Sequence, residues 1–259
     1  MNTRPPPQKR SVSKKSSWNQ AGKWYSQCVQ EEGHYYHKSV ILPSSLKLLD
    51  LKKGESLLDL GCGQGVLFRH LPKGIEYLGI DGSEKLIQEA KRLSPSADFH
   101  VADVTEALPI EKKDFDVACF ILSLQNMEFP ERAIGNAARH LKKGGRLLII
   151  LNHPCFRIPR QSHWGMDESA KIQYRRLNLY MSPLEIPIQV QPGRNTTTTF
   201  SYHFPLSSIT HWLNQEHLAI TAMEEWCSDK KSEGSCAKME DRARREFPLF
   251  LAILAKILN

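Results

Sequence analysis

Short apolar segments alternate with segments of helical periodicity through the middle of the chain. Five of the apolar segments have the length of buried strands, at residues 56–60, 75–80, 99–102, 115–122 and 146–151. Helical patterns accompany them at residues 66–71, 83–93 and 130–141. Short apolar strands that alternate with helices predict an α/β fold, with a mostly parallel sheet and helices on both of its faces.

The segments on either side of this alternation have different patterns. Residues 18–50 combine aromatic, histidine and apolar residues, and we expect an N-terminal helical cap there. Residues 153–204 are rich in proline and too long for a plain loop, so we predict an inserted substrate lid. Within the lid, residues 186–190 and 197–204 are expected to pair as antiparallel strands. The remaining predicted elements are a helix at 205–215 and strands at 217–226 and 247–257.

The net charge of +7 is concentrated at the N-terminus. Residues 1–23 hold six Lys and Arg residues and no Asp or Glu, so that 7 − 6 leaves about +1 for the rest of the chain. Residues 1–17 lack an apolar pattern, and we predict a disordered basic tail there, followed by one folded domain at residues 18–259. The tail either solubilises the protein or binds RNA or another anionic surface. The near-neutral body lacks the basic excess typical of nucleic-acid binders.

The composition favours a cytoplasmic protein. No stretch approaches the ~20 apolar residues of a membrane helix, and the N-terminal residues lack the apolar core of a secretory signal. None of the six cysteines forms a Cys-x-x-Cys pair, which indicates free thiols in a reducing compartment. The His and Cys spacings match no familiar metal motif, so we expect no metal site.

A glycine-rich turn follows the first apolar strand. Residues 57–65 read Leu-Leu-Asp-Leu-Gly-Cys-Gly-Gln-Gly, so a buried strand enters a turn with glycine at every second position. Glycine lets a ligand approach the backbone closely, and ligands of parallel sheets bind at this carboxyl edge. If a helix begins after the turn, the unpaired backbone N–H groups of its first residues would favour an anionic group of the ligand. The dinucleotide pattern Gly-x-Gly-x-x-Gly is not met, because Val66 and Phe68 occupy its third glycine position in the two registers.

The pattern Asp-x-Gly-x-Gly-x-Gly at residues 59–65 resembles the class I S-adenosylmethionine-dependent methyltransferase family. The resemblance is close over residues 50–152 and extends to residues 205–257 in layout only. It implies a seven-stranded, mostly parallel Rossmann-like sheet with an antiparallel C-terminal strand, and S-adenosyl-L-methionine as the cofactor. Residues 18–259 would then form a methyltransferase domain, with the lid inserted after its fifth strand.

Polar residues at later strand ends fit the same resemblance. Asp81 ends the second strand, where a carboxylate can accept hydrogen bonds from both ribose hydroxyls. The resemblance implies that Asp103 and Val104, after the third strand, meet the adenine, and that Ser123, after the fourth, lies beside the sulfonium. The predicted cofactor-binding residues are Asp59, Gly61, Cys62, Gly63, Gly65, Asp81, Gly82, Ser83, Asp103, Val104 and Ser123.

Each acidic residue also has a plainer interpretation. Asp59 and Asp103 are suited to forming turns at strand ends, and Asp81 can assist Ser83 in capping the helix that follows. The occurrence of three carboxylates at three successive strand ends favours the cofactor site.

Two segments supply candidate catalytic residues. Methyl transfer needs an aligned nucleophile and exclusion of water, whereas a general base is useful but not obligatory. Tyr36 and His37 lie in a segment that the resembled family often folds over the cofactor. His153 directly follows the fifth strand, and Arg157 is suited to bind a substrate carboxylate or phosphate. The alternative is that these side chains only contribute to packing.

These features predict methyl transfer from S-adenosylmethionine to a small-molecule acceptor. One alternative is an RNA- or ribosome-associated methyltransferase that uses the basic tail, and another is a non-catalytic regulator that keeps the cofactor site. Many methylases of nucleic-acid bases carry Asn/Asp-Pro-Pro-Tyr after the fourth strand, whereas this chain has Ser-Leu-Gln-Asn at residues 123–126. The sequence carries no indication of the oligomeric state.

Overall fold

A computed structural model describes residues 18–22, 33–190 and 197–258. The predicted disordered tail at residues 1–17 lies outside the described residues. The strands are β1 (Ser56–Leu60), β2 (Glu76–Asp81), β3 (Asp98–Val101), β4 (Phe115–Ile121), β5 (Leu141–Asn152), β6 (Ser162–Asp167), β7 (Ile172–Leu177), β8 (Leu184–Val190), β9 (Thr197–His203), β10 (Leu218–Trp226) and β11 (Phe250–Ile257). The α-helices of at least eight residues are α1 (Leu42–Leu49), α2 (Glu84–Leu93), α3 (Pro130–His140), α4 (Leu206–Gln215) and α5 (Ala237–Glu246).

The central sheet has seven strands in the order β10-β11-β5-β4-β1-β2-β3. Its neighbouring strands pair in parallel, except that β11 runs antiparallel to both β5 and β10. This arrangement confirms the predicted Rossmann-like sheet with an antiparallel C-terminal strand. The carboxyl ends of the parallel strands and the start of β11 therefore meet at one edge.

Helices cover both faces because both faces of the strands are apolar. Side chains alternate between the faces of a strand, so Leu58 packs with Ile134 of α3, whereas Leu57 packs with Leu49 of α1. All of β1 is buried, as expected for an inner strand of a parallel sheet.

The prediction of a helix at residues 66–71 was wrong. The chain forms only a short 3₁₀ helix, Phe68–His70, after the glycine turn. Pro72 follows Leu71, and a proline disfavours the helical conformation in the residue before it. Too few residues therefore remain between Gly65 and Pro72 for a stable α-helix.

The fifth strand is longer than predicted. The sequence predicted a strand only from residue 146, but β5 already pairs with β4 at Leu141, and its register shifts before Arg146. Gly144, with φ at +71°, lies inside this irregularity. The strand therefore accommodates the glycines as a bulge, which is a frequent use of glycine in strands.

The insertion after β5 contains two antiparallel hairpins, β6–β7 and β8–β9. The predicted pairing near residues 186–190 and 197–204 is confirmed by β8 and β9, whereas β6 and β7 were not predicted. Most residues of β6 and β7 are exposed, and polar residues or glycine separate their apolar side chains, so these strands lack the apolar run that marks a buried strand. No described helix is long and apolar enough to cross a membrane.

Candidate active site

The glycine turn follows β1 and is hydrogen-bonded to the carboxyl end of β2. The backbone N–H groups of Gly61 and Cys62 both donate to the carbonyl oxygen of Ile80, at 2.7 and 3.0 Å. Gly61, Gly63 and Gly65 have φ values of +77°, +57° and +74°. The turn is thus fixed to the neighbouring strand while its backbone lies at the edge where ligands of such sheets bind.

Close packing by the fourth strand explains the glycine at position 61. A Cβ atom there would lie 2.4 Å from the Cβ of Ser123. Ser123 is held in this position because its hydroxyl donates to the carbonyl oxygen of Leu60 at 2.7 Å. The predicted site residues Gly61 and Ser123 are therefore in direct contact.

Asp81 lies at the centre of the candidate cofactor site. Its Oδ2 accepts a hydrogen bond from the N–H of Gly63 at 2.9 Å, and its Oδ1 accepts one from the N–H of Ser83 at 2.8 Å. Burial raises the pKa of this carboxyl group, and the two N–H donors oppose that shift. A carboxylate has about four acceptor positions, so two hydroxyls of a ribose fit the remaining ones.

Ser83 and Gly82 complete the end of β2. Ser83 is fully buried and caps α2, accepting from the N–H of Leu86 at 3.4 Å. Its own N–H donates to Asp81, so the carboxylate both supports the cap and lies beside the glycine turn. Gly82 is exposed between them. The two interpretations of Asp81 are therefore compatible with each other.

Asp59 lies near the end of β1, as expected, but its carboxylate is enclosed in the core. It is buried in the sheet, where it accepts hydrogen bonds from the Tyr77 hydroxyl at 2.8 Å and the Cys119 thiol at 3.6 Å. Burial raises its pKa to about 7, the two donors oppose the shift, and nearby Asp81 adds to it. Both carboxylate oxygens serve the core beneath the turn, so the geometry does not support direct contact with a cofactor.

Cys62 and Val104 are also largely buried. The Cys62 thiol lies 3.7 Å from the carbonyl oxygen of Gly63, and burial raises its pKa. Val104 is 5% exposed and packs in the core, and its carbonyl oxygen accepts from the Asn136 amide at 2.7 Å. Asp103 forms a turn, since its Oδ1 accepts from the N–H and hydroxyl of Thr105 at 2.9 and 2.7 Å. The contacts of Asp103 and Val104 with adenine stay predictions.

His153 is buried, with both ring nitrogens occupied. Nδ1 accepts from the N–H of Cys155 at 3.1 Å, which leaves the ring proton on Nε2, 2.7 Å from a Glu225 carboxylate oxygen. Burial lowers the His153 pKa, whereas Glu225 acts in the opposite direction. The side chain joins the end of β5 to β10. With 1% of its surface exposed, it does not present a free nitrogen to a substrate, and the geometry does not support the predicted catalytic role.

Replacement of His153 by alanine is expected to destabilise the fold by about 2 kcal/mol, because it leaves a cavity and breaks two hydrogen bonds. Urea unfolding measures this loss. Affinity for S-adenosylmethionine should be unchanged in calorimetry. His163→Ala, on the exposed face of β6, is a suitable control and should retain wild-type stability. Wild-type stability of His153→Ala with lost turnover would instead restore the catalytic role.

Tyr36 and His37 lie side by side but face different neighbours. A Cβ on Gly33 would lie 2.6 Å from His37 and 3.3 Å from Val66, so this segment packs beside the glycine turn. Burial lowers the His37 pKa to about 4, and His34 and His70 contribute to the shift. The Tyr36 hydroxyl forms a hydrogen bond of 3.0 Å with the Ser228 hydroxyl, after β10.

A cavity of about 250 Å³ adjoins Tyr36. Two candidates from the sequence, Tyr36 and Arg157, line this cavity together, whereas most of its other lining residues were not predicted. Its lining also includes Trp164, Arg175, Ser228, Arg244, Phe247 and Leu249. These residues come from distant parts of the chain, and only the folding of the insertion against the last helix and strand brings them together. The described residues contain no cluster of three or more His, Cys, Asp or Glu side chains suited to a metal ion.

The middle of the chain is similar to known methyltransferases. Residues 58–149 match a family model described as a methyltransferase domain. A demethylmenaquinone methyltransferase of Paenarthrobacter aurescens is 28% identical over 183 residues, which cover 70% of this chain and 63% of the relative. A ubiquinone biosynthesis O-methyltransferase of Coxiella burnetii is 33% identical over 117 residues, covering 42% and 50% respectively. The chain thus spans less than two thirds of the length of these curated relatives.

A solved structure shows the same fold over most of the chain. The S-adenosylmethionine-dependent methyltransferase of Mesorhizobium loti superposes with a TM-score of 0.64 at 24% identity, covering 84% of this chain and 98% of that one. The strand order and the glycine turn are consistent with this likeness. The chain therefore contains a methyltransferase domain at residues 58–149, within the fold of S-adenosylmethionine-dependent methyltransferases, and these comparisons support S-adenosyl-L-methionine as its cofactor.

Proposed function

We propose that this chain transfers a methyl group from S-adenosylmethionine to a small-molecule acceptor. The observation that carries the proposal is the contact between Asp81 and the N–H of Gly63, which joins the end of β2 to the glycine turn. The family match supports the cofactor. The names of two relatives, which refer to demethylmenaquinone and to ubiquinone biosynthesis, support a small molecule as acceptor.

The residues of this chain fit the cofactor. The Asp81 carboxylate would hold the ribose, and the backbone of the glycine turn would lie against the adjoining part of the molecule. S-adenosylmethionine, when bound, supplies a methyl group that is already electrophilic on its sulfonium. The protein then has to orient the acceptor and exclude water. The segment at residues 33–41 is placed to contribute, because it lies between the glycine turn and the cavity at Tyr36.

Titration of the purified protein with S-adenosylmethionine in a calorimeter tests the proposal, with NADH as the control ligand. We expect saturable binding of S-adenosylmethionine alone, since the dinucleotide glycine spacing is not present. Binding of NADH alone, or of neither ligand, would contradict the proposal. Bound cofactor without turnover of any acceptor would favour the non-catalytic regulator.

The alternative of an RNA-associated enzyme depends on the basic tail at residues 1–17, outside the described residues. Phosphate contacts make nucleic-acid binding strongly salt-dependent. Affinity for RNA that falls steeply with salt, and on deletion of residues 1–17, would favour this alternative over the small-molecule acceptor.

A further inference from the structure

The cavity beside Tyr36 lies at the same edge of the sheet as the glycine turn. Leu249 directly precedes β11, whose first residue pairs with Asn152 at the carboxyl end of β5. Ser228 follows the carboxyl end of β10. The segment containing Tyr36 also packs beside Val66, at the glycine turn. A molecule in this cavity would therefore lie on the side of the sheet edge where a methyl acceptor must approach.

The cavity is rich in positive charge. Three guanidinium groups line it, those of Arg157, Arg175 and Arg244, and no carboxylate does. Arg244 has an acidic neighbour outside the lining, because its Nη2 lies 3.7 Å from a Glu240 oxygen. Within the described ranges, Arg157 and Arg175 form no ion pair. Both side chains are half-buried, and a charged group that loses part of its contact with water is usually paired, so two such arginines in one cavity point to an anionic ligand.

Hydrogen bonds hold Arg175 in a fixed position. Arg175 donates to the carbonyl oxygen of Phe156 at 2.8 Å and to the Ser162 hydroxyl at 2.9 Å. Its guanidinium also lies 4.9 Å from the centre of the Trp164 ring. These partners are neutral, and they orient the side chain without cancelling its charge.

Arg157 is the residue most available to a ligand. Its guanidinium stacks 5.2 Å from the ring centre of Phe250. Burial lowers the pKa of Arg157, and the nearby positive charge of Arg175 adds to that effect, whereas Tyr36 opposes it. The group nonetheless stays charged at neutral pH, because a guanidinium loses its proton only in strongly basic solution. An anionic group between Arg157 and Arg175 would relieve their repulsion.

Aromatic rings form the rest of the wall. The rings of Trp164 and Phe247 meet edge to face with centres 5.4 Å apart, and the Tyr36 ring lies against Phe250 at 5.7 Å. Tyr36 and Ser228 add two hydroxyl groups that already bind each other. Flat apolar walls favour a planar ligand. The planar guanidinium group of an arginine can donate two parallel N–H bonds, which match the two oxygens of a carboxylate.

We propose that this cavity binds a planar small-molecule acid by its carboxylate, and that this acid is the methyl acceptor. Arg157 and Arg175 hold the carboxylate, while Tyr36, Trp164 and Phe247 contact the ring. The identification of this acid as the methyl acceptor rests on the proposed methyl transfer, whereas the binding of an anion in the cavity does not. A volume of about 250 Å³ suits one small ring system.

The first experiment compares two probes of the same shape. 2-Naphthoate and its neutral amide, 2-naphthamide, are titrated into the full chain loaded with S-adenosylhomocysteine. We expect the acid to bind at least about tenfold more tightly, as for hydrogen bonds to a charged group. Equal affinities would overturn the proposal. This comparison uses the wild-type chain and does not depend on the folding of any variant.

A matched pair of variants locates the site. Arg157→Gln should lose most of the preference for the acid, whereas Arg160→Gln removes one charge from an exposed position nearby and should keep it. An unchanged preference in Arg157→Gln would overturn the assignment of the cavity. 2-Naphthyl phosphate provides a further arm, and tighter binding of the phosphate than of the carboxylate would overturn the choice of a carboxylate.

Titration with S-adenosylhomocysteine in the same samples separates the two proposals. Arg157→Gln should bind it as the wild type does, which also shows that the variant is folded. If the wild-type chain does not bind S-adenosylhomocysteine, the proposed methyl transfer fails, whatever the naphthoate result. If it does bind, but naphthoate and naphthamide do not differ, only the anion site fails.

Discussion

Asp81→Ala is expected to weaken S-adenosylmethionine binding by about 2 kcal/mol, or roughly 30-fold. The substitution removes the carboxylate proposed to accept the ribose hydroxyls. It also leaves the N–H groups of Gly63 and Ser83 without the acceptor that now lies 2.9 and 2.8 Å from them. The cofactor thus loses a direct contact, and the glycine turn loses the bond that holds it against β2.

Isothermal titration of wild type and variant measures the difference. Asp98→Ala is the matched control, because Asp98 is an exposed carboxylate at the opposite end of the neighbouring strand β3 and should leave the affinity unchanged. Asp81→Asn separates the two contributions, since an amide oxygen can still accept one hydrogen bond while the charge is lost. Unchanged affinity in Asp81→Ala would show that the ribose contact has been assigned to the wrong residue.

The sequence predicted the parts of the site that depend on local spacing. The glycine turn and Asp81 were identified because a strand end, a glycine repeat and a polar residue at the next strand end lie close together in the chain or recur in a fixed order. In a parallel sheet, such strand ends meet at one edge. The contact between Asp81 and Gly63, across 18 residues of sequence, follows from that topology.

Side-chain direction and burial were harder to predict. His153 follows β5 at the ligand edge, as expected, but its ring turns into the protein towards Glu225. Asp59 has the position of the family motif, yet its carboxylate is bound by Tyr77 and Cys119. Cys119 and Glu225 lie 60 or more residues from the side chains that they bind, and Tyr77 lies on the neighbouring strand. No pattern along the chain indicates which nitrogen or oxygen such a partner will bind.

The arginine-lined cavity could not be predicted from the sequence, because its residues are also far apart in the chain. Arg157, Arg175 and Arg244 come from a loop, a hairpin and a late helix. The hairpin itself was not predicted, because its strands are mostly exposed and lack a continuous apolar run. A charge run is usually a solvated surface, and only the fold shows that Arg157 and Arg175 lie against aromatic rings instead. The proposed acceptor site therefore depends on tertiary structure rather than on a motif.

Gly61→Ala is expected to lower the free energy of unfolding by about 3–4 kcal/mol. Two costs add: an alanine at φ of +77° is strained, and its Cβ would lie 2.4 Å from the Cβ of Ser123. Ser123 cannot retreat easily, since its hydroxyl is bound to the Leu60 carbonyl oxygen at 2.7 Å. The turn or the end of β4 must shift, and cofactor affinity should fall as well.

Gly54→Ala separates backbone strain from this crowding. Gly54 has φ at +91°, but a Cβ there would meet no atom within 4 Å. That variant should therefore lose only about 1–2 kcal/mol, the cost of the left-handed conformation. Urea unfolding of the two variants measures the difference, which isolates the contact with Ser123. Equal losses of unfolding free energy would mean that the end of β4 can move at little cost. The close packing of Ser123 on the turn would then not explain the glycine at position 61.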